Sequence, residues 1–160
     1  RYEGFGPGGT GFIIETLTDN KNRTAGDIRS IFTKCGGSLA ETGAVSFLFS
    51  RIGLIEFDLS KSSEDEIIES SIDQGAEDCD ISEDCYEIYC QPSDLHSLGE
   101  KLEKEFGDAN LMKIIWKPEN NVVIDRDTFT KIERLIELLD DNDDVQDIYF
   151  NFNIPDDYIS

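Results

Sequence analysis

The sequence predicts an α+β protein made of two ferredoxin-like α/β sandwich domains, the second inserted into the first. Strand and helix patterns alternate along the whole chain. A complete βαββαβ series, from about Gly53 to Lys117, lies between two strand-helix-strand series, as expected for a split domain interrupted by a whole one. At 160 residues and 38% hydrophobic, the chain is long enough for two small domains. We expect a discontinuous domain at 1–52 plus 118–160 and an inserted acidic domain at 53–117.

The first strand-helix-strand series follows a glycine-rich entry, Gly4–Gly11, which is typical of a hinge or tight turn. β-Branched residues predict a strand at Phe12–Thr18. Thr24 begins a capping-box pattern, and the helix that it predicts ends at Gly36-Gly37. A second strand is predicted at Ala44–Ser50. The apolar stripe of the helix has helical spacing and consists of Ile28, Ile31, Phe32 and Cys35.

The inserted series contains four strands and two helices. The first helix is acidic, and the second follows Pro92, where Ser93 is suited to cap it. Two short strands between the helices predict a hairpin. In chain order, the predicted elements are a strand at Leu54–Leu59, a helix at Ser63–Gly75, strands near Asp78–Ile81 and Cys85–Cys90, a helix ending at Gly107 and a strand at Leu111–Trp116.

The last series follows Pro118 and completes the split domain. It predicts a strand at Val122–Ile124 and a closing strand at Val145–Phe152. Between them lies a helix whose apolar side chains recur at helical spacing, at Phe129, Ile132, Leu135, Ile136 and Leu139.

Charge is divided unevenly along the chain. Residues 1–51 hold six Lys and Arg against five Asp and Glu, whereas residues 52–160 hold eight against thirty. The net charge of −21 therefore hides a nearly neutral N-terminal part. Within it, the run Thr18–Thr24 gathers cationic and amide side chains, which are suited to phosphate, carboxylate or RNA.

Searches for catalytic or cofactor motifs find none that is complete. The glycines at Gly4–Gly9 match G-x-G-x-x-G, but they precede a strand instead of opening a helix, and no Gly-Lys-Ser/Thr follows. His96 is the single histidine and has no nucleophile motif near it. The acidic run Asp140–Asp144 lacks the glycine and the final glutamate of a calcium loop. We expect a protein that is not an enzyme and has no cofactor.

The four cysteines argue against a zinc site. They form no Cys-x-x-Cys pair, and one histidine is too few to complete a ligand set. Buried reduced thiols in a reducing compartment are the favoured interpretation, although Cys79 and Cys85 are close enough in sequence to meet across a hairpin. The sequence has no run of about 18 apolar residues, so no membrane partner is expected. Because it starts at Arg1 without Met or a signal peptide, we expect a piece of a longer protein.

Several stretches resemble the YebC/PmpR family, whose mitochondrial relatives include the translational activator of cytochrome c oxidase. They span the chain in order, and as a set they are specific. The matching stretches are Tyr2–Gly9, Leu17–Thr24, Cys35–Gly43, Gly75–Asp78 and Asp143–Tyr149.

The resemblance implies a basic N-terminal helical domain, missing here, followed by two α/β domains of which one is inserted in the other. Family members are described as probable transcriptional regulators that bind DNA and as translation factors that act with the ribosome or messenger RNA. This implies the cytoplasm of a bacterium or the mitochondrial matrix of a eukaryote. Carried over by motif, together with Arg29 on the following helix, the expected contact residues are Asn20, Lys21, Asn22, Arg23, Thr24, Arg29, Gly37, Glu41 and Thr42.

The leading hypothesis is a non-enzymatic translation factor that contacts RNA or the ribosome, with the acidic inserted domain facing a basic protein. A DNA-binding transcriptional regulator is the alternative, and a small-molecule-sensing module is an alternative of another class. For the loop at Asn20–Thr24 a second interpretation also stays open, namely a capping turn whose polar groups only satisfy the backbone. We further expect that replacing Lys21 and Arg23 by Glu weakens partner binding without changing thermal stability.

Overall fold

The computed structural model describes residues 1–153, and the chain divides into two compact units. Unit 1 comprises Arg1–Ser50 and Lys117–Ser160, and unit 2 comprises Arg51–Trp116. In chain order, the elements are β1 (Tyr2–Phe5), β2 (Gly11–Thr16), α1 (Lys21–Lys34), β3 (Ser38–Ala40), β4 (Phe49–Asp58), α2 (Glu64–Asp73), β5 (Asp78–Ile81), β6 (Cys85–Cys90), α3 (Leu95–Phe106), β7 (Leu111–Pro118), α4 (Arg126–Asp140) and β8 (Val145–Phe150).

Unit 1 has a four-stranded sheet in the order β3-β1-β2-β8. All its neighbouring strands are antiparallel, with Gly4 opposite Phe12 and Ile14 opposite Ile148. Helices α1 and α4 share one hydrophobic core with this sheet. The core centres on Phe12, whose ring lies 5.9 Å from that of Phe32 in an edge-on arrangement. Complete burial of such a side chain contributes about 1.5–3 kcal/mol, so this core holds both helices in place.

Unit 2 also has a four-stranded sheet, in the order β5-β6-β4-β7. Its connectivity is βαββαβ, as the sequence predicts. The core of unit 2 is separate from that of unit 1, and its fully buried side chains include Ile55, Phe57, Ile67 and Leu102. The predicted fold class, α+β with two α/β sandwich domains, is therefore confirmed.

The predicted strands of unit 1 are partly wrong. The glycine-rich entry supplies a strand, β1, and a tight turn in which Gly8 and Gly9 have φ of 74° and 75°. Residues 44–48 form a turn and a short 3-10 helix, because the backbone N–H groups of Val45 and Ser46 donate to the Glu3 carboxylate and are not available to a strand partner, and only Phe49 and Ser50 are in a strand, β4. Val122–Ile124 forms only an isolated bridge to Phe152.

One further local expectation is wrong, and the alternative pairing of Cys79 with Cys85 is not observed. Helix α1 begins one turn earlier than predicted, because the Asn20 side chain caps it and Thr24 lies inside it. Cys79 and Cys85 do not meet across the hairpin: the register pairs Cys79 with Ile88, and both thiols are free. Within residues 1–153, no helix has both the length and the apolar character needed to cross a bilayer.

Candidate nucleic-acid interface

The predicted contact loop forms the N-terminal cap of α1. The Asn20 side-chain oxygen accepts from the Arg23 N–H at 3.1 Å, and the Thr18 hydroxyl accepts from the Asn20 N–H at 3.0 Å. Lys21 and Asn22 occupy the first helical positions and are exposed. The amide of Asn20 is therefore used in capping, whereas Lys21 and Asn22 present their side chains to solvent.

Thr24 is fully buried under this cap. Its hydroxyl lies 2.8 Å from Asp144 Oδ2, 2.8 Å from the Thr18 hydroxyl and 3.1 Å from the Asn20 carbonyl oxygen. These contacts join the start of α1 to the loop before β8. Thr24 has no exposed surface with which to touch a partner.

Arg23 is half exposed, but its charge is compensated within the chain. Its guanidinium Nη2 lies 3.1 Å from Asp144 Oδ2 and 3.7 Å from Asp19 Oδ1. Hydrogen bonds from Thr24 and Arg23 hold the pKa of Asp144 below its ordinary value of 3.8, so that carboxylate is charged near neutral pH. A shallow hollow beside Arg23 is lined by further acidic and amide side chains, Asp27, Asp141, Asn142 and Asp143. This end of α1 is acidic overall.

Of the other predicted contact residues, Arg29 lies within α1, and Gly37, Glu41 and Thr42 follow its C-terminal end. Gly37 is partly buried, and a Cβ there would collide with the Phe5 carbonyl oxygen, so packing alone requires this glycine. Arg29, Glu41 and Thr42 are exposed. The structure thus distributes the predicted set over both ends of the helix and does not gather it into one cluster.

A buried carboxylate fixes the loop that contains Glu41 and Thr42. Glu3 is 3% exposed, and it accepts from the N–H groups of Gly43 at 2.8 Å, Val45 at 3.0 Å and Ser46 at 2.6 Å. Burial acts to raise the pKa of Glu3, but these three donors outweigh it and the pKa lies below the ordinary value of 4.5. Glu3 therefore holds this loop as an anion.

A basic groove lies at the C-terminal end of α1. Its volume is about 270 Å³, and it is lined by Lys34, Cys35, Gly36, Lys131 and Arg134. In the part of the chain that the structure describes, Lys34, Lys131 and Arg134 form no ion pair. We call these three side chains and the space between them the basic groove.

Sequence reasoning missed Lys131 and Arg134. They lie three residues apart on α4, each directly before a buried position, Ile132 or Leu135, in a helix that also carries acids. Their spacing marks one helix face, but nothing in the sequence of α4 alone indicates that this face adjoins Lys34. Only the packing of α1 on α4 brings the three cations together.

The two helices run antiparallel, which separates opposite charges. Asn142, just after α4, donates to Asp27 of α1 at 3.5 Å, and Asp144 binds Arg23 at the same end. At the other end, the last residue of α1, Lys34, meets Lys131 and Arg134 of α4. The acidic hollow and the basic groove therefore lie at opposite ends of α1.

The other clusters of titratable side chains in residues 1–153 offer no metal centre. No group of three or more His, Cys, Asp or Glu side chains is placed to hold a metal ion there. His96 is exposed and lies 3.1 Å from Glu100, its neighbour one helical turn away. A hollow of about 430 Å³ in unit 2 is lined by Glu66, Glu69, Asp73 and Glu105 with Ser70 and Gln74. Those carboxylates repel a nucleic acid.

Known proteins share both the sequence pattern and this architecture. A family model described as "TACO1/YebC second and third domain" matches residues 1–152. The chain belongs to the TACO1/YebC family. Its structure is similar to the crystal structure of a conserved hypothetical protein, Aq1575, from Aquifex aeolicus, with a TM-score of 0.90 and 41% sequence identity. That match covers 99% of this chain and 66% of the other, so this chain spans about two thirds of the length of Aq1575.

The resemblance to YebC/PmpR proteins seen in the sequence is thereby confirmed. TACO1/YebC proteins are a regulatory family, similar to transcriptional regulators. Membership assigns no catalytic residue to the chain, and it leaves the partner of each surface to be argued from the surfaces themselves.

Proposed function

We propose that this TACO1/YebC protein is a non-enzymatic regulator of gene expression that acts as a translation factor, through contact of unit 1 with RNA or the ribosome. The observation that carries the proposal is the charge of α1. This helix holds four cations, Lys21, Arg23, Arg29 and Lys34, and one acid, Asp27, in a chain of net charge −21. Three of the four, all but Arg23, are exposed and form no ion pair among the described residues.

The two units differ in their suitability for a polyanion. Unit 1 has nine Lys and Arg against seventeen Asp and Glu, and unit 2 has five against eighteen. Helix α2 carries Glu64, Asp65, Glu66, Glu69 and Asp73 and no cation. Because binding to nucleic acid scales with the phosphates that cations neutralise, unit 1 is the favoured contact. The acidic surface of unit 2 suits a basic protein instead.

RNA or the ribosome suits α1 better than a DNA duplex. A helix that reads the major groove carries several Arg, Lys, Asn or Gln residues along one face. In α1, the N-terminal residues that such a reader would use are Asn22 and Arg23, and Arg23 is paired with Asp144. Asp141 and Asp143 lie beside them and would oppose the phosphates of a duplex. A DNA-binding regulator remains the competing hypothesis, to be separated by experiment.

Co-sedimentation with purified ribosomes across a salt series tests the proposal, with double-stranded DNA as competitor. The informative variant is Lys21→Glu with Arg29→Glu, which reverses two exposed charges of α1. Its matched control is Lys101→Glu with Lys104→Glu, which makes the same charge change on exposed positions of α3. We expect the α1 variant to lose retention, the control to keep it and DNA not to displace the wild type. Retention that DNA abolishes, or no retention at any salt, would support the transcriptional hypothesis instead.

A further inference from the structure

We propose that the basic groove formed by Lys34, Lys131 and Arg134 holds the phosphate backbone of RNA. This inference rests on the proposed function, because it names the chemical group that unit 1 contacts and the place where it does so. The groove lies at the end of α1 opposite the N-terminal loop, and it adds a contact to those expected of Lys21 and Arg29.

The groove is open because Gly36 leaves it unfilled. Gly36 has φ of 86°, and a Cβ placed on it would have no neighbour within 4 Å. The adjoining Cys35 side chain is buried. The other residues that line the groove are Gly36 and the three cations. A chain of phosphates can therefore approach the three cations without meeting a side chain from the floor.

The cations are not needed to finish α1. Helix C-termini leave carbonyl groups that Lys or Arg can satisfy. Here the Cys35 N–H donates to Ile31 and Phe32, and the Gly37 N–H donates to the Phe32 carbonyl at 2.8 Å. Backbone donors thus close the end of the helix, and Lys34 is left without that structural role.

The cations of the basic groove also repel one another. Like charges three or four residues apart destabilise a helix, and Lys131 and Arg134 have this spacing on α4. Two acids of that helix, Glu133 and Glu137, line a neighbouring hollow with Lys131 and Arg134 but form no ion pair with them among residues 1–153. An anionic partner would relieve this repulsion, and an Arg fork with two Lys point charges suits phosphate groups.

A polyanion fits this groove better than a free phosphate. Sites for a single phosphate usually converge several backbone N–H groups on it. The N–H groups of Cys35, Gly36 and Gly37 all donate to carbonyls within α1 and are not available. Three cations along an open groove instead favour a nucleic-acid strand, because each phosphate that binds a cation releases a counterion.

The test uses the full chain with Lys34, Lys131 and Arg134 all changed to Gln, and a labelled single-stranded RNA as probe. The matched control changes Lys61, Lys101 and Lys104 of unit 2 to Gln, which removes the same charge from exposed positions. Affinity is measured by fluorescence anisotropy across a salt series. Three lost phosphate contacts should make the slope of log K against log salt shallower by about 2, at about 0.7 per contact for single strands. At low salt we expect at least about a tenfold loss of affinity, with the control unchanged.

Each other outcome overturns the inference in a recognisable way. If the wild type binds RNA and the groove variant binds with the same affinity and slope, the groove assignment is wrong and the proposed function stands. If the wild type binds neither RNA nor ribosomes, the groove assignment and the proposed function are both wrong. If inorganic phosphate displaces RNA more strongly than chloride at equal ionic strength, the groove is a site for free phosphate. If polyglutamate displaces RNA equally well, the partner is an acidic peptide.

Discussion

The buried hydroxyl of Thr24 lies 2.8 Å from Asp144 Oδ2, although 120 residues separate the two in sequence. This contact ties the first turn of α1 to the loop that leads into β8, the last strand of the sheet in unit 1. Asp144 also forms an ion pair with Arg23, so it neutralises a cation that the sequence predicts to bind a partner. Residues that the sequence marks as a binding loop thus include part of the scaffold.

Replacing Thr24 by Val keeps the shape of the side chain and removes its hydroxyl. We expect a loss of about 1 kcal/mol in the free energy of unfolding, the usual net contribution of one intramolecular hydrogen bond. Urea denaturation followed by circular dichroism measures it. Asn22→Ala, at an exposed position of the same turn, is the control and should stay within about 0.5 kcal/mol of the wild type. If the two variants were equally stable, the Thr24 hydroxyl would not stabilise the fold.

Lys21 and Arg23 should respond differently to charge reversal, contrary to the expectation from sequence that changing both leaves stability unaltered. Arg23→Glu places a new carboxylate beside Asp144 and Asp19, so we expect a lower melting temperature. Lys21→Glu adds an acid at the first position of α1, where the helix dipole tolerates it, so the melting temperature should hold. Thermal melts of both single variants and the wild type compare the melting temperatures. Equal melting temperatures would show that the Arg23 ion pair does not stabilise the fold.

Glu3 should make unit 1 sensitive to acid. Its pKa in the folded protein lies below 4.5, so its contribution to stability is present above that pH and is lost as pH falls through the folded pKa. Glu3→Ala strands three backbone donors, and we expect it to cost about 3 kcal/mol at pH 7. Glu3→Gln should cost less at pH 7 and should flatten the acid limb of a plot of melting temperature against pH. An unchanged acid limb would contradict the role of Glu3 as a buried anion.

Phe12 is buried and Phe47 is exposed, so the same substitution should affect stability differently at the two positions. Phe12 is completely buried against three other Phe rings, so Phe12→Ala should cost about 3–5 kcal/mol. Phe47 is 72% exposed, and Phe47→Ala should change stability by no more than about 0.5 kcal/mol. Chemical denaturation of both variants gives the comparison. A large cost for Phe47 would mean that this side chain has a packing partner in solution.

Local patterns in the sequence were sufficient for most of the fold. The apolar stripes of α1 and α4 and the βαββαβ order of unit 2 all follow from periodicity, which is a property of short windows. The predicted strands at Ala44–Ser50 and Val122–Ile124 were wrong because β-branched and aromatic composition does not show whether a backbone has a partner. In the first case, a carboxylate more than 40 residues away, Glu3, takes the N–H groups instead.

The sequence by itself determined the family, the fold class and the uneven distribution of charge along the chain. Only the tertiary structure decided which cations are paired and which are exposed together. Arg23 meets Asp144 across 121 residues of sequence, and Lys34 meets Lys131 and Arg134 through the packing of α1 on α4. The reason is that Coulomb interactions depend on distance in space and are screened within about 10 Å at 0.1 M salt, so charge counted along a sequence does not show where it acts.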